Sequence, residues 1–276
     1  MLLYRYIAFL TSVLSLIFVI LTPDVSLAQM QFDEPVDDGG PLISGKAQRA
    51  STSRWPATRI FNSDIGGCTT TLVGPRAILT AAHCVENGTG AEMKHRGSWV
   101  TVTTCSHHPK YDGANSWDYA LCELAEDIHN VPFEVINTSR SYPREGHELA
   151  LLGYGCISDP KDPAVTFSNT NRALYGGIAP VVARFTDTTT YIKTTGESGG
   201  CFGDSGGAAY IQFSNGRREI VGVMSRALVA SEGVFVGDTY ISTTSHIDFV
   251  TWSEDWVDAT SAAICGISLD AKGCRS

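Results

Sequence analysis

An all-β fold is what this sequence predicts, and three observations carry the prediction. Its apolar residues fall in short runs rich in Val, Ile, Leu and Thr; Gly, Pro, Asn and Asp interrupt those runs; and helical periodicity is confined to one stretch near the C-terminus. Strand signals at this spacing suit a sandwich or a barrel. With 276 residues, 43% of them hydrophobic and 18% charged, the chain can bury one large core or two smaller packed ones. The net charge of −9, with no cluster of Lys and Arg, argues against a nucleic-acid partner.

The elements follow in chain order. Arg5, the apolar run from Ile7 to Leu21 and the small residues of Ser26-Leu27-Ala28 make residues 1–28 a signal peptide cleaved after Ala28. A membrane anchor is the rival reading, but about 15 apolar residues fall short of the roughly 20 that span a bilayer, and no later segment is apolar enough. Export is therefore expected, to the extracellular space or a periplasm, with no membrane association once the signal is removed. Residues 29–42, QMQFDEPVDDGGPL, are acidic and lack apolar periodicity, so they read as a pro-segment or a disordered lead. Strand-like runs begin after Ile43: Thr69 to Val73, Ala77 to Leu79, Trp99 to Thr103, Glu148 to Leu152, Ile220 to Met224 and Val234 to Val236. Ile247 to Ala259 carries apolar residues at helical offsets and predicts a C-terminal helix, with residues 263–276 as a tail. All eight cysteines lie after the signal, and an even number in an exported chain implies four disulfides. A metal site is the weaker alternative, since there is no CxxC pair and no His at ligand spacing beside a cysteine. No cofactor and no metal are called for, and a monomer is expected.

The chemistry concentrates in three segments. CFGDSGGAA places Ser205 among Gly203, Gly206 and Gly207, residues that let a tight turn bring backbone N–H groups close to a bound carbonyl. The same string is also ordinary loop chemistry. A serine hydroxyl is a weak nucleophile at neutral pH and needs a histidine base held in one tautomer by a carboxylate. His83 in AILTAAHCV and Asp118 in NSWDYALCEL supply both types. The remaining histidines have no such setting, and His107 and His108 in the loop-like HHPKY read as surface residues.

TAAHC, D-x-A-L and GDSGG, in that order and separated by 35 and 87 residues, resemble the chymotrypsin and trypsin family of serine peptidases over about Ile43 to Val257. The resemblance implies two packed six-stranded antiparallel β-barrels with a short C-terminal helix, a peptidase domain over 43–262 and a boundary between barrels near 140–147. It further implies a secreted endopeptidase acting on protein or peptide substrates through an acyl-enzyme. In it Ser205 is the nucleophile, His83 the general base, Asp118 the orienting carboxylate, and the N–H groups of Gly203 and Ser205 the oxyanion site. The competing class is a catalytically dead, protease-fold binding or regulatory protein. An esterase of another fold would place its serine in G-x-S-x-G and its histidine last.

Family likeness also carries the finer expectations. ISGKA resembles the family's mature start, so an unknown activating protease would free Ile43, whose ammonium pairs with Asp204; Leu42 stands where trypsin-activated precursors carry Arg or Lys. The resemblance pairs Cys68 with Cys84 and Cys156 with Cys201; Cys105 and Cys122 fall on strands that flank the aspartate and could be neighbours, which leaves Cys265 with Cys274. Gly199 occupies the place of the aspartate on the floor of a trypsin-like primary pocket, while Asp238, two residues before Tyr240, stands at the pocket base from the other side. Asp238 therefore predicts a preference for Arg or Lys before the scissile bond, unless Arg226 neutralises it and leaves an apolar pocket; Ser225 and Ala227 line the same wall. Asn87 and Asn137 head glycosylation sequons.

Overall fold

The computed structural model describes residues 48–114, 116–158, 166–167, 173–196, 198–229 and 235–275. The predicted signal peptide, the pro-segment, Ile43 and Val234 lie outside the described residues. The chain enters through a short strand, β1 (Gln48–Arg49), then builds two barrels in succession. β2 (Thr58–Ser63), β3 (Gly66–Leu72), β4 (Ala77–Thr80), β5 (Ala91–His95), β6 (Ser98–His107) and β7 (Ala120–Leu124) close in the order β2-β3-β4-β7-β6-β5. The second barrel comprises β8 (Glu148–Gly153), β11 (Tyr175–Ala183), β12 (Tyr191–Thr194), β13 (Ala208–Gln212), β14 (Arg218–Val229) and β15 (Phe235–Thr243). It closes because β8 pairs with both β11 and β13. A separate hairpin joins β9 (Ile157–Ser158) to β10 (Thr166–Phe167). β1 pairs with β11, so the start of the first half is sewn onto the second barrel.

Side-chain alternation explains why several strands read as unbroken apolar runs. In β4, Ile78 fills the first barrel with Phe61, Leu72 and Met93, while Ala77 and Leu79 face the other way into a core shared between the barrels. In β8, Leu149 and Leu151 fill the second barrel, and Ala150 and Leu152 join the shared core. Ala209 and Ile211 of β13 point inward, with Ala208 and Tyr210 between the barrels. A strand buried on both faces has no polar face to alternate with.

The one α-helix among the described residues, α1 (Ile247–Thr260), starts one residue after His246, whose Nδ1 accepts from the Asp248 N–H (3.1 Å). It ends at Ser261, a left-handed residue (φ 59°). Phe249 and Trp256 bury its inner face in the shared core, so the tail of the chain clamps both barrels together. Also in that core, the Arg218 guanidinium lies 3.5 Å from the Trp55 ring centroid and binds buried Glu134 at 2.5 and 3.1 Å, with Arg275 on the same carboxylate.

Disulfides join Cys68 to Cys84, Cys105 to Cys122, Cys156 to Cys201 and Cys265 to Cys274. Cys105 and Cys122 sit directly opposite each other across β6 and β7. Asn137 is buried and its amide donates to Glu219, leaving no room for a glycan, whereas Asn87 is exposed. His108 departs from the surface reading: it is 5% exposed and packs against Trp117, Tyr119 and Trp252. Burial lowers its pKa to about 4, so the ring is neutral, as an aromatic cluster requires.

Candidate active site

Three segments from different parts of the chain meet where the barrels touch. His83 sits in a single 3-10 turn, Ala82–Cys84, directly after β4, and the Cys68–Cys84 bridge ties that turn to β3. The two sulfurs and a His83 ring nitrogen lie within 4.8 Å of one another, but the sulfurs are bonded to each other and offer no thiolates to a metal. Asp118 lies two residues before β7, and Ser205 lies in the turn before β13.

Asp118 is fully buried and saturated with donors. Its Oδ1 accepts from the His83 backbone N–H at 2.9 Å, and its Oδ2 lies 2.7 Å from His83 Nδ1 and 2.5 Å from Ser225 Oγ. Burial alone pushes this carboxyl upward, but the hydrogen bond and charge of His83, followed by the Ser225 hydroxyl, outweigh it and hold the pKa below the usual aspartate value. An ionised acceptor at Nδ1 fixes the histidine tautomer and leaves Nε2 free to take a proton. The backbone of Asp118 is held in turn, its N–H donating to Ser242 Oγ at 3.1 Å.

Ser205 is positioned through its backbone. Its carbonyl accepts from the Thr69 N–H (2.9 Å), and the Thr69 hydroxyl donates to the Gly203 carbonyl (2.8 Å) while accepting from the Tyr154 N–H (3.0 Å). Thr69 thus pins the serine turn of the second barrel to β3 of the first. Gly206 (φ 79°) has no space for a side chain: a Cβ there would lie 2.1 Å from Thr80 Oγ1 and 2.9 Å from the Ala81 backbone N–H nitrogen. That close approach sets the turn against the segment leading into His83. Among the described residues, the N–H groups of Gly203 (φ 96°) and Ser205 donate to no protein acceptor. No hydrogen bond joins the Ser205 hydroxyl to His83 among the described residues either; such contacts are often long before substrate tightens them.

Asp204 is buried with no cationic partner among the described residues. It accepts from the Gly155 N–H (2.7 Å) and the Cys201 N–H (2.9 Å). Burial outweighs both bonds and raises its pKa to about 7. A narrow void beside it is lined by Leu151, Leu152, Gly177 and Met224.

Of the residues assigned to the primary pocket, Gly199 and Ala227 meet the Gly237–Thr239 segment of β15. Gly199 lies against Gly237, where a Cβ would come within 2.9 Å of the carbonyl oxygen, and the Gly200 N–H donates to Thr239 Oγ1 (2.8 Å). Ala227 pairs with Thr239 across β14 and β15 and packs on the Cys156–Cys201 bridge. Arg226 does not reach Asp238; it donates to the Gly113 carbonyl. Lys193 instead pairs with Asp238 at 2.7 Å. Sequence reasoning missed Lys193, Thr69, Ser242 and the role of the Ser225 hydroxyl, because each depends on strand register or on contacts across the barrels.

Two closed six-stranded barrels, with a His83–Asp118 pair in the first and the glycine-bounded turn of Ser205 from the second packed against the segment leading into His83, have the architecture of the chymotrypsin-like serine peptidase fold. The sequence comparisons agree: the family model described as Trypsin matches residues 42–252. The chain is 26% identical over 210 residues to Trypsin Tyr p 3.0101 of Tyrophagus putrescentiae, covering 67% of this chain and 71% of that protein. It is 29% identical over 213 residues to Chymotrypsin-C of Bos taurus, covering 66% and 76% respectively. A third match, 28% identical to Hypodermin-B of Hypoderma lineatum, spans 40% of that protein. This chain belongs to the trypsin family of serine peptidases.

Proposed function

We propose that this chain is a secreted serine endopeptidase in which Ser205, His83 and Asp118 perform the chemistry. The observation that carries the reading is the double grip of one buried carboxylate on the backbone and the ring of His83. Ser205 Oγ attacks the scissile carbonyl as its proton passes to His83 Nε2. The negative charge that forms on the carbonyl oxygen falls to the Gly203 and Ser205 N–H groups, and losing one such donor typically costs about a hundred- to a thousandfold in turnover. The tetrahedral intermediate then collapses, the C–N bond breaks, and His83 returns the proton to the leaving amine. Water repeats the sequence on the acyl-enzyme, giving its proton to His83 and freeing Ser205. A fluorophosphonate probe is expected to label wild-type protein and not S205A, with peptide hydrolysis lost in the variant. Failure of both labelling and hydrolysis in mature wild-type protein would favour a dead protease-fold binding module.

The proposal includes export and zymogen control. Four disulfides suit an oxidising compartment. A peptidase domain over 43–262 would begin with Ile43, whose new ammonium would supply the cationic partner that buried Asp204 lacks among the described residues. Because Leu42 precedes Ile43, the activating protease would cut after an apolar residue. N-terminal sequencing of the active species tests this, with Ile43 as the expected first residue.

Cleavage after Arg or Lys, the first reading of the pocket, requires Asp238 to offer its charge to the substrate. The ion pair with Lys193 favours a second reading, in which the pocket takes uncharged side chains.

A further inference from the structure

We infer that Lys193 is a specificity-determining residue: it occupies the carboxylate of Asp238, the chain neighbour of the Gly237 backbone that packs against Gly199, and so directs this peptidase to uncharged apolar or aromatic side chains before the scissile bond. The inference rests on the peptidase reading above and names the substrate class of that same site.

Strand register supplies the first part of the case. Lys193 of β12 lies directly opposite Tyr240 of β15, and Asp238 stands two residues before Tyr240, so all three side chains share one face of the pair. The other face carries Ile192, Thr194, Thr239 and Ile241, all fully buried. Tyr191 lies on the same face as Lys193, its ring 5.3 Å from that of Tyr240 at a steep angle. The shared face therefore carries two aromatic rings and one closed ion pair.

Electrostatics supplies the second part. Lys193 Nζ is 2.7 Å from Asp238 Oδ2, and Thr195 donates a further hydrogen bond to the same carboxylate. Burial pushes the Asp238 carboxyl upward, while the bonds from Lys193 and Thr195 and the lysine charge hold it below the usual value. Conversely, the Asp238 bond raises the Lys193 pKa. Each group thus stabilises the charged form of the other, and the pair presents no net charge. A substrate guanidinium or ammonium entering the pocket would have to displace Lys193 or lie beside it. Gly199 adds no charge from the opposite side, and Arg226 is turned away toward Gly113.

The experiment separates binding from turnover. Mature S205A protein, with and without K193M, is titrated calorimetrically with benzamidine, a planar cation resembling an arginine head, and with benzamide, its neutral counterpart. Benzamide is expected to bind at least as tightly as benzamidine when Lys193 is present. In K193M, benzamidine should gain tenfold or more while benzamide changes by less than threefold, and adding D238N should abolish the gain. A marked preference for benzamidine with Lys193 in place, or no change on K193M, would overturn the inference. In parallel, kcat/KM for Phe, Leu, Arg and Lys chromogenic peptides is compared between Ser205-containing wild type and K193M, with active sites counted by a fluorophosphonate. The Arg-to-Phe ratio should rise tenfold or more. A ratio that stays constant in fully labelled protein refutes the role of Lys193. The expected ligand switch without any labelling or hydrolysis would uphold the masked charge and sink the peptidase reading.

Discussion

Asp204 makes the stability of the uncleaved chain depend on pH in a direction that can be worked out beforehand. Its folded pKa is raised from 3.8 to about 7 by complete burial. A carboxyl that holds its proton more tightly folded than unfolded contributes stability that is fully present below the unfolded pKa and is lost as pH rises through the folded one. The window therefore runs from about pH 4 to about pH 7. Roughly three pKa units at about 1.4 kcal/mol each amount to ~4 kcal/mol. With a urea m-value of about 2–3 kcal/mol/M, the denaturation midpoint should fall by on the order of 1.5–2 M across that window. The measurement uses uncleaved S205A protein, which cannot digest itself, against the same protein carrying D204N. Asn is close to isosteric and leaves one of the two N–H donors poorly matched, a cost that does not change with pH. The difference between the two midpoints should therefore grow as pH falls below 7. Parallel pH curves for the two proteins would refute the reasoning. In protein cleaved before Ile43, the new ammonium should lower the Asp204 pKa and flatten the wild-type curve.

Further expectations follow from the same geometry. D118N should leave the fold intact yet lower kcat/KM by about four orders of magnitude, because an amide cannot accept at both oxygens and no longer enforces the required His83 tautomer. T69V, nearly the same shape, removes the hydroxyl's bonds to the Gly203 carbonyl and from the Tyr154 N–H; a loss of about 1–3 kcal/mol in all is expected in urea unfolding, together with reduced turnover. E134A strands the Arg218 guanidinium in the shared core and should destabilise by about 3–5 kcal/mol in the same assay, with little change in kcat for the protein that remains folded. G206A should abolish activity, since its Cβ would overlap Thr80 Oγ1.

Much of this was legible in the sequence, for reasons that differ by residue. Ser205, His83 and Asp118 stand out because nucleophile, base and orienting carboxylate each demand a particular local setting, and those settings survive as short strings. Strand centres such as Ala77 to Leu79 were visible through their burial on both faces, and the helix through its apolar offsets. Strand ends were not: β14 runs from Arg218 to Val229, well past the Ile220 to Met224 core, because pairing with β13 and β15 recruits polar and charged residues that carry no apolar signal. His108 looked like a loop residue beside Pro109, yet rings from Trp117 and from Trp252 on the distant helix enclose it. The partner of Asp238 was hidden for the same reason. Lys193 lies 45 residues earlier, and only the register of β12 against β15 brings the two together.

Thr69 joins the two halves of the molecule at the serine turn, and that position bears on how activity can arise. Neither barrel alone contains the proposed site: His83 and Asp118 belong to the first, Ser205 to the second, and the serine turn is held in place by a residue of the other half. Intermediate activity from a half-assembled molecule is therefore not available to this architecture. A chain whose barrels have each closed but not yet docked would be inert, so a newly exported molecule carries no working site until its last large surface is buried. Hydrolytic competence then serves as a readout of docking itself, appearing in one step and later than the secondary structure of either half.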